Sequence, residues 1–226
     1  MSINQINRTL TRPAVGSVLA TNKLIKNTYM LLSMTLLFSA ATAGMSMVFN
    51  WPHPGMILTL VGYFGLLFLT TKFRNSGWGL LFVFGLTGFM GLTLGPIISH
   101  YIHAFSNGDQ LVMTALGGTG AIFLGLSGYA LTSRKDFSFI GGFLFAGILV
   151  AFLAGLGAVI FSIPALSLAV SAMFVLLMSG MILYQTSEMV NGGETNYILA
   201  TVTLYVSIYN LFLSLLQLLG AFSGED

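Results

Sequence analysis

The sequence contains no cysteine and very little charge. The missing cysteines exclude disulfide bonds, thiolate metal sites and cysteine nucleophiles. Only 6% of the 226 residues are charged and 56% are hydrophobic, whereas about a quarter of a soluble domain is normally charged. Because a bilayer removes the need for a polar surface, this composition predicts an integral membrane protein. The net charge of +2 is too small to indicate nucleic-acid binding.

Long apolar blocks replace the missing charges. An α-helix rises about 1.5 Å per residue, so about 20 apolar residues cross a hydrocarbon core about 30 Å thick. Short connections with glycine, proline, asparagine and serine separate the blocks. We therefore expect an all-α seven-transmembrane-helix bundle over residues 27–226, after a loosely structured polar tail of residues 1–26. The predicted spans are residues 28–49, 56–71, 78–98, 111–132, 138–163, 165–186 and 197–222.

The basic residues predict the orientation of the bundle. All of them precede the first span or follow the second or fourth span, so they lie on one side of the membrane. Cytoplasmic segments carry an excess of lysine and arginine. We expect a cytoplasmic N-terminus and, after seven spans, a periplasmic C-terminus. The eight residues are Arg8, Arg12, Lys23, Lys26, Lys72, Arg74, Arg134 and Lys135.

Small residues recur every four positions in three of the predicted spans. Such stripes let helix backbones approach closely in lipid, where water does not drive association. We interpret them as packing surfaces of a compact bundle rather than as the lining of a pore. The three stripes are Gly91 and Gly95; Gly117, Ala121 and Gly125; and Gly147, Ala151 and Gly155.

Catalytic and metal-binding patterns are weak. Gly125 to Gly128 read GLSG, a pattern that surrounds the nucleophilic serine of intramembrane proteases. Ser127 would need a general base, but the three histidines all come earlier and lie in connections predicted on the opposite side. His100 and His103 are three residues apart, yet with only Asp109 nearby they make a poor metal site. We expect no enzymatic activity, no metal and no cofactor.

A polar stretch, LYQTSEMVNGGETNY at residues 183–197, lies between the last two apolar blocks. Asn191, Gly192 and Gly193 form a natural helix terminator, so the sixth helix is predicted to continue to about residue 190. Gln185 then lies about 9 Å inside the end of the helix. Glu188 shares its face at a spacing of three. Polar side chains at membrane depth are candidates for a functional site.

The last span carries a second set of polar residues on one face. Thr203, Ser207 and Asn210 recur at spacings of four and three. The tight turn predicts that the last two helices are antiparallel neighbours, so this face can meet Gln185 and Glu188. The contacts are either interhelical hydrogen bonds that fix the pair or a site for ion conduction or sensing.

Two segments carry a resemblance to a known family. TSRKDFSFIGG at 132–142 and GGETNYILATVTLYVSIYNLFLSLLQLLG at 192–220 resemble the Bax inhibitor-1 (transmembrane Bax inhibitor motif) family, in particular its bacterial YccA-type branch. The likeness runs from about residue 22 to residue 220. It implies a seven-span protein of the bacterial inner membrane with its N-terminus in the cytoplasm, in agreement with the orientation predicted from the basic residues.

The resemblance implies two alternative functions. Some members are calcium-leak channels in which one carboxylate on the sixth span and one on the seventh share a proton. In this sequence Gln185 and Ser207 occupy those positions, so the pair cannot form, and Glu188 is the one acid nearby. YccA-type members resemble partners that restrain FtsH, a membrane-anchored ATP-dependent protease that would grip the N-terminal tail. We therefore expect an FtsH modulator, with a pH-sensitive calcium or proton leak channel as the alternative.

Overall fold

The computed structural model describes residues 15–224, with side chains from Leu19 onward, and within them it has seven α-helices. The predicted all-helical fold is confirmed. Six helices are long and apolar enough to cross a membrane, and α2, with 17 residues, is shorter at about 25 Å. The helices are α1 (Val15–Val48), α2 (Met56–Lys72), α3 (Gly77–Ala104), α4 (Gly108–Ser133), α5 (Gly141–Ile160), α6 (Pro164–Asn191) and α7 (Tyr197–Ser223).

Successive helices alternate in direction, so the connections gather at two ends. The basic end, as we call it, contains the connections 73–76, 134–137 and 192–196. The opposite end contains the connections 49–55, 105–107 and 161–163. The basic end carries Lys72, Arg74, Arg134 and Lys135 among the residues that the structure describes.

The first helix begins earlier than expected. Residues 15–26 were predicted to belong to a loosely structured tail, but α1 already starts at Val15. Extending an existing helix adds one hydrogen bond per residue without a new nucleation step, so a membrane-anchored helix readily propagates outward. The Thr201 hydroxyl on α7 donates to the carbonyl of Thr28, 13 residues into α1. The first turns of α1 therefore project beyond the start of α7. Residues 1–14 lie outside the described part.

The last helix is the central one. Helix α7 contacts α1, α2, α3, α4 and α6. Buried small and hydroxyl-bearing residues such as Ala200 and Thr201 let several neighbours approach it. Tyr205, also on α7, is only 1% exposed. The core of the protein is therefore built around its final transmembrane helix.

The fifth helix lies at the periphery. Among the described helices, the backbone of α5 comes close only to that of α6 and to the 3-10 turn Ser138–Ile140 that precedes it. Its outward side carries large apolar side chains such as Phe143 and Phe145, which are 74% and 72% exposed. Lipid accepts such a surface because its tails are as apolar as the side chains. The predicted span 138–163 is thus a short turn followed by a helix that ends at Ile160.

Two of the three small-residue stripes pack inside the bundle, as predicted. A methyl group at Gly91 would collide with the carbonyl of Ser39 on α1, and one at Gly147 would collide with Leu177 on α6. The third stripe is different, because a methyl group at Gly117 or Gly125 would meet nothing. The interpretation as internal packing is therefore wrong for α4, whose small residues face outward.

The end of α6 agrees with the predicted terminator. The helix stops at Asn191, and Gly192 has a φ of 86°, a left-handed conformation that glycine adopts without a steric penalty. The Gly193 N–H donates to the carbonyl of Glu188 at 2.9 Å and closes the cap. This geometry places Gln185 and Glu188 inside a helix rather than in a loop.

Candidate functional site

The α7 residues predicted to form a polar face do share one. Thr203, Ser207 and Asn210 all line a cavity between α2, α3, α5, α6 and α7. The Ser207 hydroxyl donates to the carbonyl of Thr203 at 2.8 Å, and the Asn210 amide donates to the carbonyl of Val206 at 2.8 Å. Within residues 15–224 the Ser207 and Asn210 side chains thus bond to their own helix rather than to α6.

Gln185 and Glu188 lie elsewhere. Gln185 is 5% exposed, and its Nε2 atom has no hydrogen-bond partner within the described chain. Glu188 lies at the basic end with its carboxylate over Gly193. Neither residue lines the cavity. Gln185 lies about 9 Å from the end of α6, and Asn210 lies about 20 Å from the start of α7, which follows that end. The two antiparallel helices therefore hold these side chains at different depths.

A different glutamine joins α6 to α7. The Ser171 hydroxyl donates to Gln217 Oε1 at 2.6 Å, and Gln217 Nε2 donates to the Ser167 hydroxyl at 2.6 Å. The expected interhelical hydrogen bonds therefore exist, but near the opposite end of the bundle. The four-residue spacing of the two serines was a usable signal that the sequence reasoning missed.

Hydroxyl groups also connect α1, α4 and α6 near the basic end. The Thr186 hydroxyl, fully buried, lies 3.4 Å from the Tyr29 hydroxyl on α1 and 3.4 Å from the Ser127 hydroxyl on α4. Ser127 is 19 residues, or about 28 Å, from the start of α4, whereas His100 and His103 lie at the end of α3 next to that start. The neighbour of Ser127 is thus a threonine hydroxyl, which does not act as a general base.

The connection 134–137 is fastened to the end of α6. The Ser187 hydroxyl donates to the carbonyl of Lys135 at 2.9 Å and accepts from the Phe137 N–H at 3.0 Å. Asn191 donates to the same Lys135 carbonyl at 3.2 Å. Asp136 accepts from the Ser138 N–H at 2.8 Å, and this hydrogen bond lowers the pKa of Asp136. This hydrogen bond lies directly before the 3-10 turn Ser138–Ile140 that precedes α5.

Asn196 fastens the connection 73–76 to the start of α7. Its side-chain oxygen accepts from the Ile198 and Leu199 N–H groups, as a helix N-cap does. Its amide donates to the carbonyl of Arg74 at 3.2 Å and to Asn75 at 2.8 Å. The basic end is therefore a braced surface, with cationic and acidic side chains presented from held loops.

Residues 21–224 match the family described as "Inhibitor of apoptosis-promoting Bax1". The chain belongs to this family. Two Escherichia coli proteins share 53% identity over 210 residues, which is 93% of this chain and 94% of each relative. They are named "Modulator of FtsH protease YccA" in strain K12 and "Inner membrane protein YccA" in strain O6:H1. An uncharacterized protein of Pseudomonas aeruginosa is 50% identical over 213 residues.

Membership of the Bax1 inhibitor family agrees with the helices described above. The protein is a multi-pass inner-membrane protein. The family description names no enzymatic reaction. Gln185 and Ser207 stand at the two positions where the resemblance implies a carboxylate pair; Ser207 lines the cavity and Gln185 does not.

Proposed function

We propose that this protein modulates the membrane-anchored FtsH protease by binding to it. The observation that carries the proposal is the 53% identity, over 93% of the chain, to an E. coli protein named as a modulator of that protease. The aligned region covers 93% of this chain and 94% of the relative, so it includes the membrane-spanning helices and both ends of the bundle.

We infer that the basic end faces the cytoplasm. All eight lysines and arginines precede α1, lie in its first turns, end α2 or lie in connections of that end. Lys23 and Lys26 are on the projecting part of α1, where Lys26 is exposed. In this orientation the N-terminal segment and the braced connections lie on the same side, and the protease would grip the segment that leads into α1.

The alternative function, a pH-sensitive calcium or proton leak, receives less support. A proton-sharing carboxylate pair needs two acids in contact. Gln185 and Ser207 occupy the corresponding positions, and the residues that line the cavity include no Asp or Glu. Glu188 lies at the basic end, away from that cavity.

A reconstituted system tests the binding proposal. Proteoliposomes would contain FtsH and a short-lived membrane substrate, with or without this protein, and substrate decay would be followed by quantitative blotting. We expect slower decay when the protein is present and co-purification of the two proteins from detergent. Unchanged decay together with no co-purification would remove the proposal.

A deletion tests the role of the N-terminal segment. Removing residues 2–14 leaves α1 intact from Val15. We expect the deletion to prolong the lifetime of this protein in cells that contain FtsH. A variant with residues 2–14 in scrambled order is the matched control, because it keeps length and composition. If the deleted and full-length proteins decay at the same rate, the protease does not grip this segment.

The leak alternative is tested separately. Liposomes that contain the purified protein and a calcium indicator would be assayed between about pH 5 and pH 8, the range in which carboxylates with raised pKa values titrate. Flux above that of empty liposomes, altered by Glu188→Gln, would favour the leak. We expect no such flux.

A further inference from the structure

A cavity of about 540 Å³ lies at mid-depth in the bundle. Its α7 residues run from Val202 to Asn210, about 8 to 20 Å from the start of that helix. Its α5 residues run from Phe145 to Phe152, in the middle of α5. The volume is within the range of about 300 to 1,000 Å³ that small-molecule sites occupy. The cavity therefore lies at the level of the hydrocarbon core.

The cavity opens sideways between α2 and α5. Both helices line it, but their backbones do not approach each other, so only side chains span the gap between them. The rings of Phe64 on α2 and Phe152 on α5 meet edge to face across the gap, with centroids 5.9 Å apart. At the rim, Phe64, Phe145 and Leu149 are 47%, 72% and 50% exposed. A molecule dissolved in the bilayer can thus enter by displacing two aromatic rings.

The side chains that line the cavity determine whether a bound molecule can carry a charge. Aromatic, aliphatic and methionine side chains dominate it, and none of the lining residues is Asp, Glu, Lys, Arg or His. A charged group that entered would lose its hydration without meeting an opposite charge. The occupant is therefore uncharged and largely apolar.

The α7 wall supplies a hydrogen-bonding position. Asn210 uses one amide hydrogen for the carbonyl of Val206. Its Oδ1 atom makes no hydrogen bond to residues 15–224, and its second amide hydrogen is not used either. A polar group without a partner is unfavourable at membrane depth. A hydroxyl group complements this amide, because it donates to Oδ1 and accepts from Nδ2.

We propose that this cavity binds an uncharged single-chain amphiphile with a hydroxyl group, which enters from the bilayer between α2 and α5. Its hydroxyl bonds to the Asn210 amide, and its alkyl chain lies against the aromatic residues toward the rim. This ligand site goes beyond the modulation of a protease and does not depend on it.

Photolabelling in liposomes tests the proposal. The probe is hexadecanol that carries a diazirine and a terminal alkyne, with labelled peptides identified by mass spectrometry. We expect labels on peptides that contain Phe64, Phe152 or Val206. Val206→Phe fills the cavity and should abolish this labelling, whereas Leu124→Phe on the lipid-facing side of α4, where Leu124 is 69% exposed, should not change it.

The role of Asn210 is tested with probes that differ in the head group. Asn210→Leu removes the amide at similar size and should reduce hexadecanol labelling about three- to tenfold, the value of one hydrogen bond. It should not reduce labelling by a matched hexadecane probe. Thr119→Val is the control and should have little effect, because the Thr119 hydroxyl on α4 donates to the carbonyl of Ala115 in its own helix and Thr119 does not line the cavity. A hexadecanesulfonate probe, which keeps its charge, should not label the cavity.

Competition between the probe and unlabelled lipids in the wild-type protein tests the proposal without a variant that could fail to fold. Unlabelled hexadecanol should suppress the cavity labels, whereas unlabelled dioleoylglycerol, which has two acyl chains, should not; suppression by dioleoylglycerol would contradict a single-chain occupant. Labels spread over the outward faces of α4 and α5, or cavity labels that unlabelled hexadecanol does not suppress, would overturn the proposal.

Discussion

The hydroxyl groups of Tyr205 and Ser39 lie 2.6 Å apart in the buried core, between α7 and α1. Tyr205 also donates to the carbonyl of Thr87 on α3 at 3.2 Å, so its single hydrogen is used there and Ser39 is the donor in the first bond. One phenol group thus connects three helices.

Removing this phenol oxygen should destabilise the bundle. Tyr205→Phe leaves the Ser39 hydroxyl without its acceptor, and we expect a loss of about 0.6 to 2 kcal/mol, the range for hydrogen bonds between membrane helices. Thermal unfolding in detergent is the measurement. Ser39→Ala should cost less, and the double variant should be less unstable than the sum of the two changes. Additive effects would mean that the two groups are not coupled.

Replacement by alanine should have opposite effects on stability at Gly91 of α3 and at Gly117 of α4. Gly91→Ala places a methyl group against the carbonyl of Ser39, and overpacking of this kind costs about 1 to 3 kcal/mol. Gly117→Ala points into open space and should be neutral or stabilising by up to about 1 kcal/mol through helix propensity. Equal unfolding temperatures for the two variants would contradict the close contact of Gly91 with Ser39 and the open space at Gly117.

Ser187→Ala should loosen the connection 134–137. The change removes the acceptor of the Phe137 N–H and the donor to the Lys135 carbonyl. We expect trypsin to cleave after Arg134 or Lys135 about tenfold faster, because local opening becomes easier. Ser179→Ala is the matched control, since the Ser179 hydroxyl donates to the carbonyl of Val175 in its own helix. Equal cleavage rates in the two variants would rule out this bracing role.

Trypsin cleavage after Arg134 or Lys135 also reports which side of the membrane the basic end faces. If the basic end faces the cytoplasm, trypsin added outside sealed inverted vesicles should cut after Arg134 or Lys135. Added to spheroplasts, it should leave these bonds intact. The reverse pattern would invert the proposed topology and place the N-terminus in the periplasm.

The turn before α5 should weaken in acid. The hydrogen bond from the Ser138 N–H lowers the pKa of Asp136 in the folded state. A lowered folded pKa means that the stabilisation is fully present above the ordinary value of 3.8 and is lost as the pH falls from there through the folded pKa. Hydrogen exchange of the Ser138 amide should therefore show extra opening at pH 3 relative to pH 6, after correction for the intrinsic rate. Asp136→Asn should show no such pH dependence.

Helix number and the end of α6 were predictable because they depend on local chemistry. Apolar length identifies a helix in lipid, and Gly192 marks the end of α6 through its own conformation. The start of α1 was not predictable from polarity alone. A polar segment joined to a membrane helix continues that helix at little cost, whatever its isolated preference.

The polar site was predicted only in part. The shared face of Thr203, Ser207 and Asn210 follows from helical spacing. Their partners do not, because a hydroxyl in a helix can bond to the carbonyl four residues earlier, as Ser207 does. The identity of the helix opposite each polar side chain depends on tertiary packing. For this reason Gln217, rather than Gln185, links α6 to α7.

The central position of α7 has a consequence for biosynthesis. This helix is the last of the seven to leave the ribosome, yet Thr201 and Tyr205 supply the partners for the Thr28 carbonyl and the Ser39 hydroxyl on the first. The packing of the other six helices is therefore completed only when the seventh is inserted among them. Chains that end before α7 would lack these contacts, and such chains differ from the finished protein in a way that cellular quality control can recognise.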